Sequence, residues 1–596
     1  MPTPDRLFLD VRNSATGLAW EHRLSERQEA IALAIAQSHG VSDIVSRILA
    51  GRDVAPDNAE AFLNPTIREL MPDPLTMTDM DAAGQRLADA ILRKERVAIF
   101  GDYDVDGACS SALMKKFLDH LGIESEIYIP DRVFEGYGPN PAAMRELVER
   151  GAKLIVTVDC GTNSPAAIAA AREAGADVVV LDHHQVGGAL PEVTPVVNPN
   201  REDDLSGLGY LCAAGVVFMT LVHVARLLRT HDRFDLPDLL SMVDLVALAT
   251  VCDVVPLAGL NRAFVVKGLI AARRMTNPGI ATLARASRIG EPLNPYHFGF
   301  MIGPRINAGG RIGDAALGSR LLTLDDPVEA ARIAEQLDRL NTERQAMEQV
   351  MLEQAKAEAD AELIAGQGPA VIVTASDSWH PGIVGLLASR LKDHARRPAF
   401  AIAFNANNVG SGSGRSIPGF DLGRMVRQAV DDGLLVKGGG HAMAAGITVE
   451  RAKLGALRAF FEDYASKTVF ELRDAESLKI DAAVAADGAN LKLLEEMEKA
   501  GPYGSGHSTP ILALPRHRIA DAREVGNGGH IRVDLQSETG RRLGAIAFRA
   551  AGNPLGRFLI DNRGSAVHVA GTLSVNHWNG NATPQFRIID AAAVER

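Results

Sequence analysis

Val97-Ala98-Ile99-Phe100-Gly101-Asp102-Tyr103-Asp104-Val105-Asp106-Gly107 is the stretch whose reading decides the fold. Val97 to Phe100 is a short apolar run of the kind that forms a buried strand, and three carboxylates follow at alternate positions, closed by Gly107. Alternating acids just past the end of a parallel strand project into the crevice where open α/β sheets place their ligands. Three anions so close raise one another's pKa unless a cation neutralises them, and carboxylate oxygens suit Mg²⁺ and Mn²⁺. Read alone, the stretch fits a solvated acidic turn equally well. A calcium turn of the EF-hand type needs a Glu near position 113, which is Leu113.

The flanking sequence supplies the context. Apolar runs recur at Val97–Phe100, Glu126–Ile129, Leu154–Val158 and Val178–Leu181, separated by amphipathic stretches. Ala108–Leu121 stops at Gly122 and Pro141–Arg150 at Gly151, both helix stop signals. This is βαβ grammar and predicts a parallel, doubly wound sheet with right-handed crossovers. The four strands are followed in turn by Asp102/Asp104/Asp106, by Pro130-Asp131-Arg132, by Asp159-Cys160-Gly161-Thr162 and by Asp182-His183-His184. One acid after a strand is usually an N-cap, and a histidine pair is usually buried and satisfied. Four strand ends delivering polar groups to one sheet edge predict a carboxylate–imidazole metal cluster. Asp253, after the apolar helix Leu239–Val251, is a further contributor; alone it reads better as a helix-end solvation device.

Composition sets outer limits. At 596 residues the chain holds about three or four domains. Its 46% hydrophobic and 23% charged residues are those of a soluble globular protein. The start has no basic-then-apolar signal and no apolar run approaches the ~18 residues of a membrane span, so no membrane is expected. Cys109, Cys160, Cys212 and Cys252 have no CxxC spacing and read as reduced thiols of a cytoplasmic protein. Net charge is −12, which argues against indiscriminate polyanion binding. From Gly501 onward, however, 11 Arg and no Lys face 7 acidic residues, a net +4.

GDYDVDG (101–107), VTVDCGT (156–162), DHH (182–184) and ATVCDVVPL (249–257), in that order, resemble the DHH phosphoesterase superfamily. GPRINAGGR (303–311), HPGIVGLLASRL (380–391), GSGRS (412–416), GGGHAMAAG (438–446) and GPYGSGHSTP (501–510) resemble its RecJ branch, the single-stranded-DNA-specific exonucleases. Departures are small: Cys252 stands where Ala is usual, raising the question of oxidation beside Asp253, and His507 replaces a common Asn. The resemblance implies two divalent ions, Mn²⁺ or Mg²⁺, held by Asp104, Asp106, Asp159, His183 and Asp253, with Asp102 and His184 in or near the shell. Asp106, Asp159 and His184 carry the catalytic roles, His184 by contacting the scissile phosphate or protonating the leaving oxygen, its alternative being a purely supporting place. Two cations of this kind clamp the attacking and leaving oxygens of an in-line displacement at phosphorus.

The expected organisation is an α/β multidomain chain. It runs from an N-terminal helical extension (1–75) to a parallel-sheet DHH domain (76–323) and a long connecting helix (324–365). A smaller α/β DHHA1-type domain (366–470) and a C-terminal OB-type β-barrel (471–596) follow. Gly410–Ser416 reads as a loop, a phosphate cradle in preference to a flexible linker, with Ser413, Arg415 and Ser416 as contacts. Arg305, Asn307 and Arg311 approach it from the first lobe, and His380 and His441 from the second. Arg132 is the expected contact for a 5′-terminal phosphate. Five short strands (Ile511–Leu514, His530–Leu535, Leu543–Phe548, Val567–Leu573, Phe586–Ile589) suit an OB barrel. Tyr503, Phe548 and Trp578 are its stacking platforms or, equally, part of the barrel core, and Arg541, Arg542 and Arg549 are better placed as backbone contacts. By the resemblance the chain is a 5′→3′ exonuclease releasing 5′-mononucleotides from single-stranded DNA in repair and recombination, with single-strand-binding protein and a helicase as partners. The rivals are a phosphoesterase for nano-oligonucleotides, cyclic dinucleotides or 3′-phosphoadenosine phosphate, and a non-catalytic scaffold on a decayed core.

Overall fold

The computed structural model describes residues 6–131, 135, 138–363, 367–526, 528–578 and 581–594. They form two compact units, one of residues 71–255 and 263–473, the other of 1–70, 256–262 and 474–596. The first strand, β1 (Ala19–His22), lies in the second unit and takes its partner from far along the chain.

In the unit of residues 71–255 and 263–473, five parallel strands form the first sheet. They are β2 (Val97–Gly101), β3 (Ser125–Tyr128), β4 (Leu154–Val158), β5 (Asp177–Leu181) and β6 (Val196–Val197), in the order β3-β2-β4-β5-β6. β2 and β4 are buried along their whole length, which explains continuous apolar runs in place of alternation. From β2 the chain steps one way to β3 and back across to β4. A crevice therefore opens at the carboxyl end of β2, where the opening stretch lies. Helix α1 (Val105–His120) starts in that crevice, capped by the Asp104 side chain, which accepts the Gly107 N–H at 3.1 Å. A Cβ on Gly107 would lie 2.4 Å from the Asp102 carbonyl oxygen, so the tight turn admits only glycine.

Helices complete this lobe. α2 (Ala213–Thr230) corrects the expectation that no segment approaches a membrane span. By length and hydropathy it qualifies, but 72% of it is buried among other elements, and it is a core helix. The expected apolar helix Leu239–Val251 divides into a 3₁₀ turn (Leu239–Met242) and α3 (Val243–Cys252). α4 (Gly303–Ile312) follows a π-helical turn over His297–Ile302. α5 (Pro327–Leu363) is one uninterrupted helix of 37 residues. Its first half buries Ala330, Ile333, Ala334 and Leu337, and its second half packs Met351, Ala355 and Ala359 onto the next sheet's helix, α6 (Val384–Ala395).

The second sheet holds β7 (Ile372–Ser376), β8 (Ala399–Phe404), β9 (Val409–Arg415), β10 (Lys437–Gly440) and β11 (Ala444–Glu450), in the order β10-β11-β9-β8-β7. Only β7–β8 is parallel. The Gly/Ser run expected to be a loop is strand β9. Gly410, Gly412 and Gly414 alternate inward, where a Cβ on Gly414 would lie 2.4 Å from the Phe400 ring. The glycines make room for Phe400, Ile402 and Phe404, and the serines and Arg415 occupy the other face.

In the other unit, β12 (Ser477–Ile480) pairs in parallel with β1. The remaining strands are β13 (Ala482–Ala483), β14 (Leu512–Val525), β15 (His530–Gln536), β16 (Arg542–Ala547), β17 (Ala566–Trp578) and β18 (Asn581–Ala593). A β14–β17 pairing closes the sheet β13-β14-β15-β16-β18-β17 into a barrel around Leu514, Val533, Leu543, Val569 and Phe586. β14 runs fourteen residues, far beyond the expected Ile511–Leu514, because a register shift between Leu514 and His517 lets it bend around the barrel. The chain's start is tied here: Trp20 is fully buried and its indole N–H donates to Asp590 at 2.9 Å. So is the segment 256–262, whose buried Arg262 donates to the carbonyls of Phe62, Ala500 and Gly501 with its guanidinium 3.8 Å from the Phe62 ring centre. Burial lowers the Arg262 pKa to about 10.

Candidate active site and metal centre

Among the described residues the ends of β2, β4 and β5 bring their acids and histidines together, joined by Asp253 from the end of α3. Three overlapping groups, Asp102/Asp104/Asp159, Asp106/His183/Asp253 and Asp159/His183/His184, each offer ligand atoms within 4.8 Å of one another. His183 is the hinge between them. Its Nε2 lies 3.2 Å from Asp159 Oδ1, 3.6 Å from Asp106 Oδ2 and 3.7 Å from Asp253 Oδ2. Its Nδ1 is 3.1 Å from the Leu211 carbonyl oxygen, which can only accept, so Nδ1 carries the hydrogen. In the neutral ring the Nε2 lone pair then faces three carboxylates, a repulsive arrangement that a cation relieves. This orientation is the fit between the residues present and a divalent metal.

The carboxylates agree. Burial first, then the neighbouring acids Asp106, Asp104, Asp102 and Asp253, push the Asp159 pKa well up. Burial and the same crowding push Asp253 well up, and burial raises Asp106 against the pull of His183. Fixed protein dipoles offset part of the cost at Asp106, which accepts N–H groups of Ala213 (2.7 Å) and Ala214 (2.8 Å) at the start of α2. Asp159 has φ +60° and Val254, directly after Asp253, has φ +61°, a left-handed backbone uncommon for non-glycine residues. A set of carboxylates with one imidazole suits Mn²⁺ or Mg²⁺.

His184 is held differently. Its Nδ1–H donates to Asp182 Oδ1 at 2.8 Å. Asp182, 1% exposed, also accepts N–H groups of His183 (2.8 Å), His184 (3.2 Å) and Thr162 (3.0 Å). Burial works to raise the Asp182 pKa, but the His184 hydrogen bond and charge hold it far below the carboxylate range. Burial likewise opposes the His184 cation, yet the bond and charge of Asp182, with Asp102 and Asp104, lift its pKa to about 9. Sequence reasoning named the two histidines and passed over Asp182. The signal was its place directly after a buried strand, where its side chain meets the following backbone N–H groups. Asn198 and Asn200 complete the support by donating to the carbonyls of His184 (2.8 Å) and His183 (2.5 Å).

The second sheet faces this centre through His441, in the β10–β11 turn. Partial burial, then the His184 charge and Arg427, lower its pKa, and His183 adds to the effect. Other expected substrate contacts separate into two groups. Ser413, on β9, accepts from the Arg415 guanidinium at 2.8 Å, on the polar face of the strand. Asn307 is half-buried on α4, and His380 accepts the Gly382 N–H at 3.1 Å. Arg311 donates to the Gly382 carbonyl at 3.0 Å and joins α4 to the second sheet's lobe. Ser416 is a correction: it is 1% exposed, and its hydroxyl donates to the Phe420 carbonyl at 2.7 Å, fixing the turn. Arg305 is a second one, bound to Asp338 on α5 (2.8 Å) and to the Met301 carbonyl (2.6 Å), so its fork holds the π-helical turn to the long helix. Arg132 lies outside the described residues, as does the Trp578 side chain.

The Cys252 thiol donates to the Phe298 carbonyl at 3.3 Å, and burial with the nearby acids pushes its pKa up. It is a poor nucleophile, and the expected oxidation sensitivity loses its basis.

A parallel-sheet lobe with a carboxylate–imidazole cluster, a second α/β lobe facing it and an appended OB barrel define a phosphoesterase of the DHH–DHHA1 class. Residues 96–250 match the DHH family, N-terminal domain, residues 368–467 the DHHA1 domain and residues 480–590 the RecJ OB domain. The chain belongs to the RecJ family. It is 33% identical over 589 residues to the single-stranded-DNA-specific exonuclease RecJ of Bacillus subtilis, covering 98% of this chain and 72% of that one. To the RecJ of Escherichia coli it is 34% identical, covering 86% of this chain and 90% of that one. The crystal structure of RecJ in complex with Mn²⁺ from Thermus thermophilus superposes with a TM-score of 0.80 at 28% identity, over 97% of this chain and 80% of that one.

Proposed function

We infer that this chain is a metal-dependent exonuclease that hydrolyses single-stranded DNA from its 5′ end and releases 5′-mononucleotides. The observation that carries the reading is the His183 ring, whose Nε2 faces Asp106, Asp159 and Asp253 while its Nδ1–H is fixed by Leu211. Relatives named single-stranded-DNA-specific exonucleases, 32–35% identical over most of the chain, support the substrate. Asp104, Asp106, Asp159, His183 and Asp253, with Asp102 beside them, would hold Mn²⁺ or Mg²⁺, which would supply positive charge for an in-line displacement at phosphorus. Around that charge the protein's own groups act. Asp182 fixes His184, which contacts the scissile phosphate or gives a proton to the leaving oxygen. His441 closes the site from the second lobe, and the Arg415 guanidinium brings positive charge to the same lobe.

The reading places the enzyme in DNA repair and recombination, in the cytoplasm, with single-strand-binding protein and a helicase preparing its substrate. The small-substrate rival leaves the basic barrel without work, and the scaffold rival is opposed by a complete set of acids and histidines. One single strand, 5′-labelled and 3′-labelled in parallel and incubated with Mn²⁺ or EDTA, tests the reading. Labelled mononucleotide released at once from the 5′-labelled strand, and nothing in EDTA, is expected; early release from the 3′-labelled strand reverses the polarity, and no turnover with Mn²⁺ removes the activity.

A further inference from the structure

Helices α1 and α3, which deliver Asp106 and Asp253 to the metal centre, pack on each other and lead away from it. Their far ends share a cavity of about 560 Å³. The last turn of α1 lines it with Lys116, Asp119 and His120, and the start of α3 with Met242, Asp244 and Leu245. At 1.5 Å per residue, the ten residues of α3 set the cavity about 15 Å from the crevice, as a separate site.

Asp244 is buried there without a counter-charge. It is 2% exposed, and its side chain accepts only backbone N–H groups of its own turn, that of Leu245 at 2.9 Å. Burial pushes its pKa up to about 6, against those N–H groups and the charge of Lys116. At neutral pH it is therefore a buried anion, and among the described residues no cation is in ion-pair contact with it. Lys116 is itself held by Asp325 at 2.8 Å. Asp238, exposed at the rim, likewise accepts only a backbone N–H, that of Leu240 at 3.0 Å.

An acid in the first turn of a helix, set against the positive end of its dipole, is the competing account. That role needs no burial, and the exposed first-turn acids Glu26 and Asp43 fill it elsewhere in the chain. Asp106, buried in the first turn of α1, is the closer counterpart of Asp244, and it belongs to a cation site. The other charges of the cavity wall lean the same way, with Asp119, Asp238 and Asp325 beside Asp244 against Lys116 and Arg274. Among the described residues no three of these acids bring ligand atoms within 4.8 Å of one another, so a single metal ion does not gather them. Carboxylates spread over a cavity that also presents Leu240, Met242 and Ala271 suit a cation whose charges are spread along an alkyl chain.

We propose that this cavity binds an aliphatic diamine or polyamine, with one ammonium on Asp244, another on Asp238 and the methylenes against Leu240 and Met242. The occupant joins the last turn of α1 to the first turn of α3, at the ends remote from the metal centre. Neither DNA nor turnover is needed for it to bind, so the proposal stands or falls apart from the exonuclease reading.

The test uses the full chain with Mn²⁺ in excess, which keeps amines off the acids of the metal centre. Butylamine, putrescine and spermidine are titrated by calorimetry without DNA, and affinity is expected to rise in that order at one site per chain. Asp244→Asn lowers spermidine affinity tenfold or more, the size of a lost hydrogen bond to a charged group. Asp238→Asn lowers it about two- to fivefold, as loss of an exposed ion pair does. Asp244→Asn also removes a buried charge, so its melting temperature is expected at or above that of the wild type, and lost binding is then not lost folding. Leu240→Lys, at a rim position 58% exposed, carries its own ammonium into the cavity and is expected to abolish binding. It keeps the test decisive if Asp244→Asn fails to fold. Spermidine binding unaltered in D244N and L240K, or spread over several equivalent weak sites, overturns the proposal. An arginine-rich peptide that binds here and is not displaced by spermidine assigns the cavity to a protein partner and also overturns it.

Discussion

Asp182 and His183 divide the labour of the site, and substitutions separate the two parts. Asp182 is in none of the metal-gathering groups found among the described residues; it holds His184 and the backbone of the loop. Asp182→Asn is therefore expected to lower kcat about ten- to a hundredfold while Mn²⁺ affinity changes little, read from turnover over a Mn²⁺ titration. Equal losses in both would place Asp182 in the metal shell. His183→Ala removes the nitrogen that faces three carboxylates and is expected to abolish turnover and weaken Mn²⁺ binding measured by calorimetry. Asp159→Asn has two opposed effects. Burial and its acidic neighbours make the charged carboxylate costly, so the metal-free variant is expected to melt higher than the wild type. Mn²⁺ at a hundredfold over Kd stabilises the wild type by about 2.7 kcal/mol, and that increment should vanish in the variant. A metal-free variant that melts lower than wild type would contradict the crowding argument.

At the scale of single elements, β9 and the loop after the Leu491–Lys499 helix respond to different stresses. β9 is glycine-rich because Phe400, Ile402 and Phe404 occupy the volume a side chain would need. Gly414→Val is expected to cost about 1–3 kcal/mol in a urea melt through overpacking against Phe400. His507, 2% exposed, donates from Nε2 to the Ala500 carbonyl at 2.8 Å and stacks on Tyr503 at 5.0 Å. Burial, partly offset by that bond, lowers its pKa from 6.5 to about 4. Between those values the unfolded chain binds more protons than the folded one. Stability is therefore complete above pH 6.5 and falls on acidification toward pH 4, by on the order of 3 kcal/mol in all. His507→Gln should flatten the melting temperature across that window; an unaltered slope would assign the acid response elsewhere. Tyr503, expected as a stacking platform, is withdrawn from that role, because it packs against the barrel's core and its hydroxyl donates to the Met497 carbonyl.

For the whole molecule the sequence order misleads about what folds together. Removing everything after Glu471 seems to leave two catalytic lobes intact. It would strip β12 from β1, Asp590 from Trp20 and the Ala500–Gly501 carbonyls from Arg262. That truncation is expected to aggregate or to melt well below wild type, with Trp20 fluorescence shifted to the red. Removing residues 1–70 together with 474–596 leaves fewer orphaned partners and should express in better yield. Equal behaviour of the two truncations would refute the account.

Much of the catalytic lobe is legible in the sequence because its determinants are local. A buried parallel strand writes itself as an apolar run, and the residues after it reach the sheet edge by chain connectivity alone. Asp102, Asp104, Asp106, Asp159 and His183 could be gathered on those grounds, whereas Asp253, at a helix end, joined them only through the family resemblance. Other features depend on partners far away in sequence. Gly410–Gly414 reads as a loop until Phe400 and Ile402 are placed beneath it, and Ser416 and Arg305 read as ligands until Phe420 and Asp338 claim their polar groups. Lys116 and Asp244 line one cavity only through the packing of α1 on α3, which no spacing in the sequence reveals. The opening acids and their strand thus determined the chemistry of the site; long-range packing decided which remaining polar groups are spent holding the fold and which are left to meet a substrate.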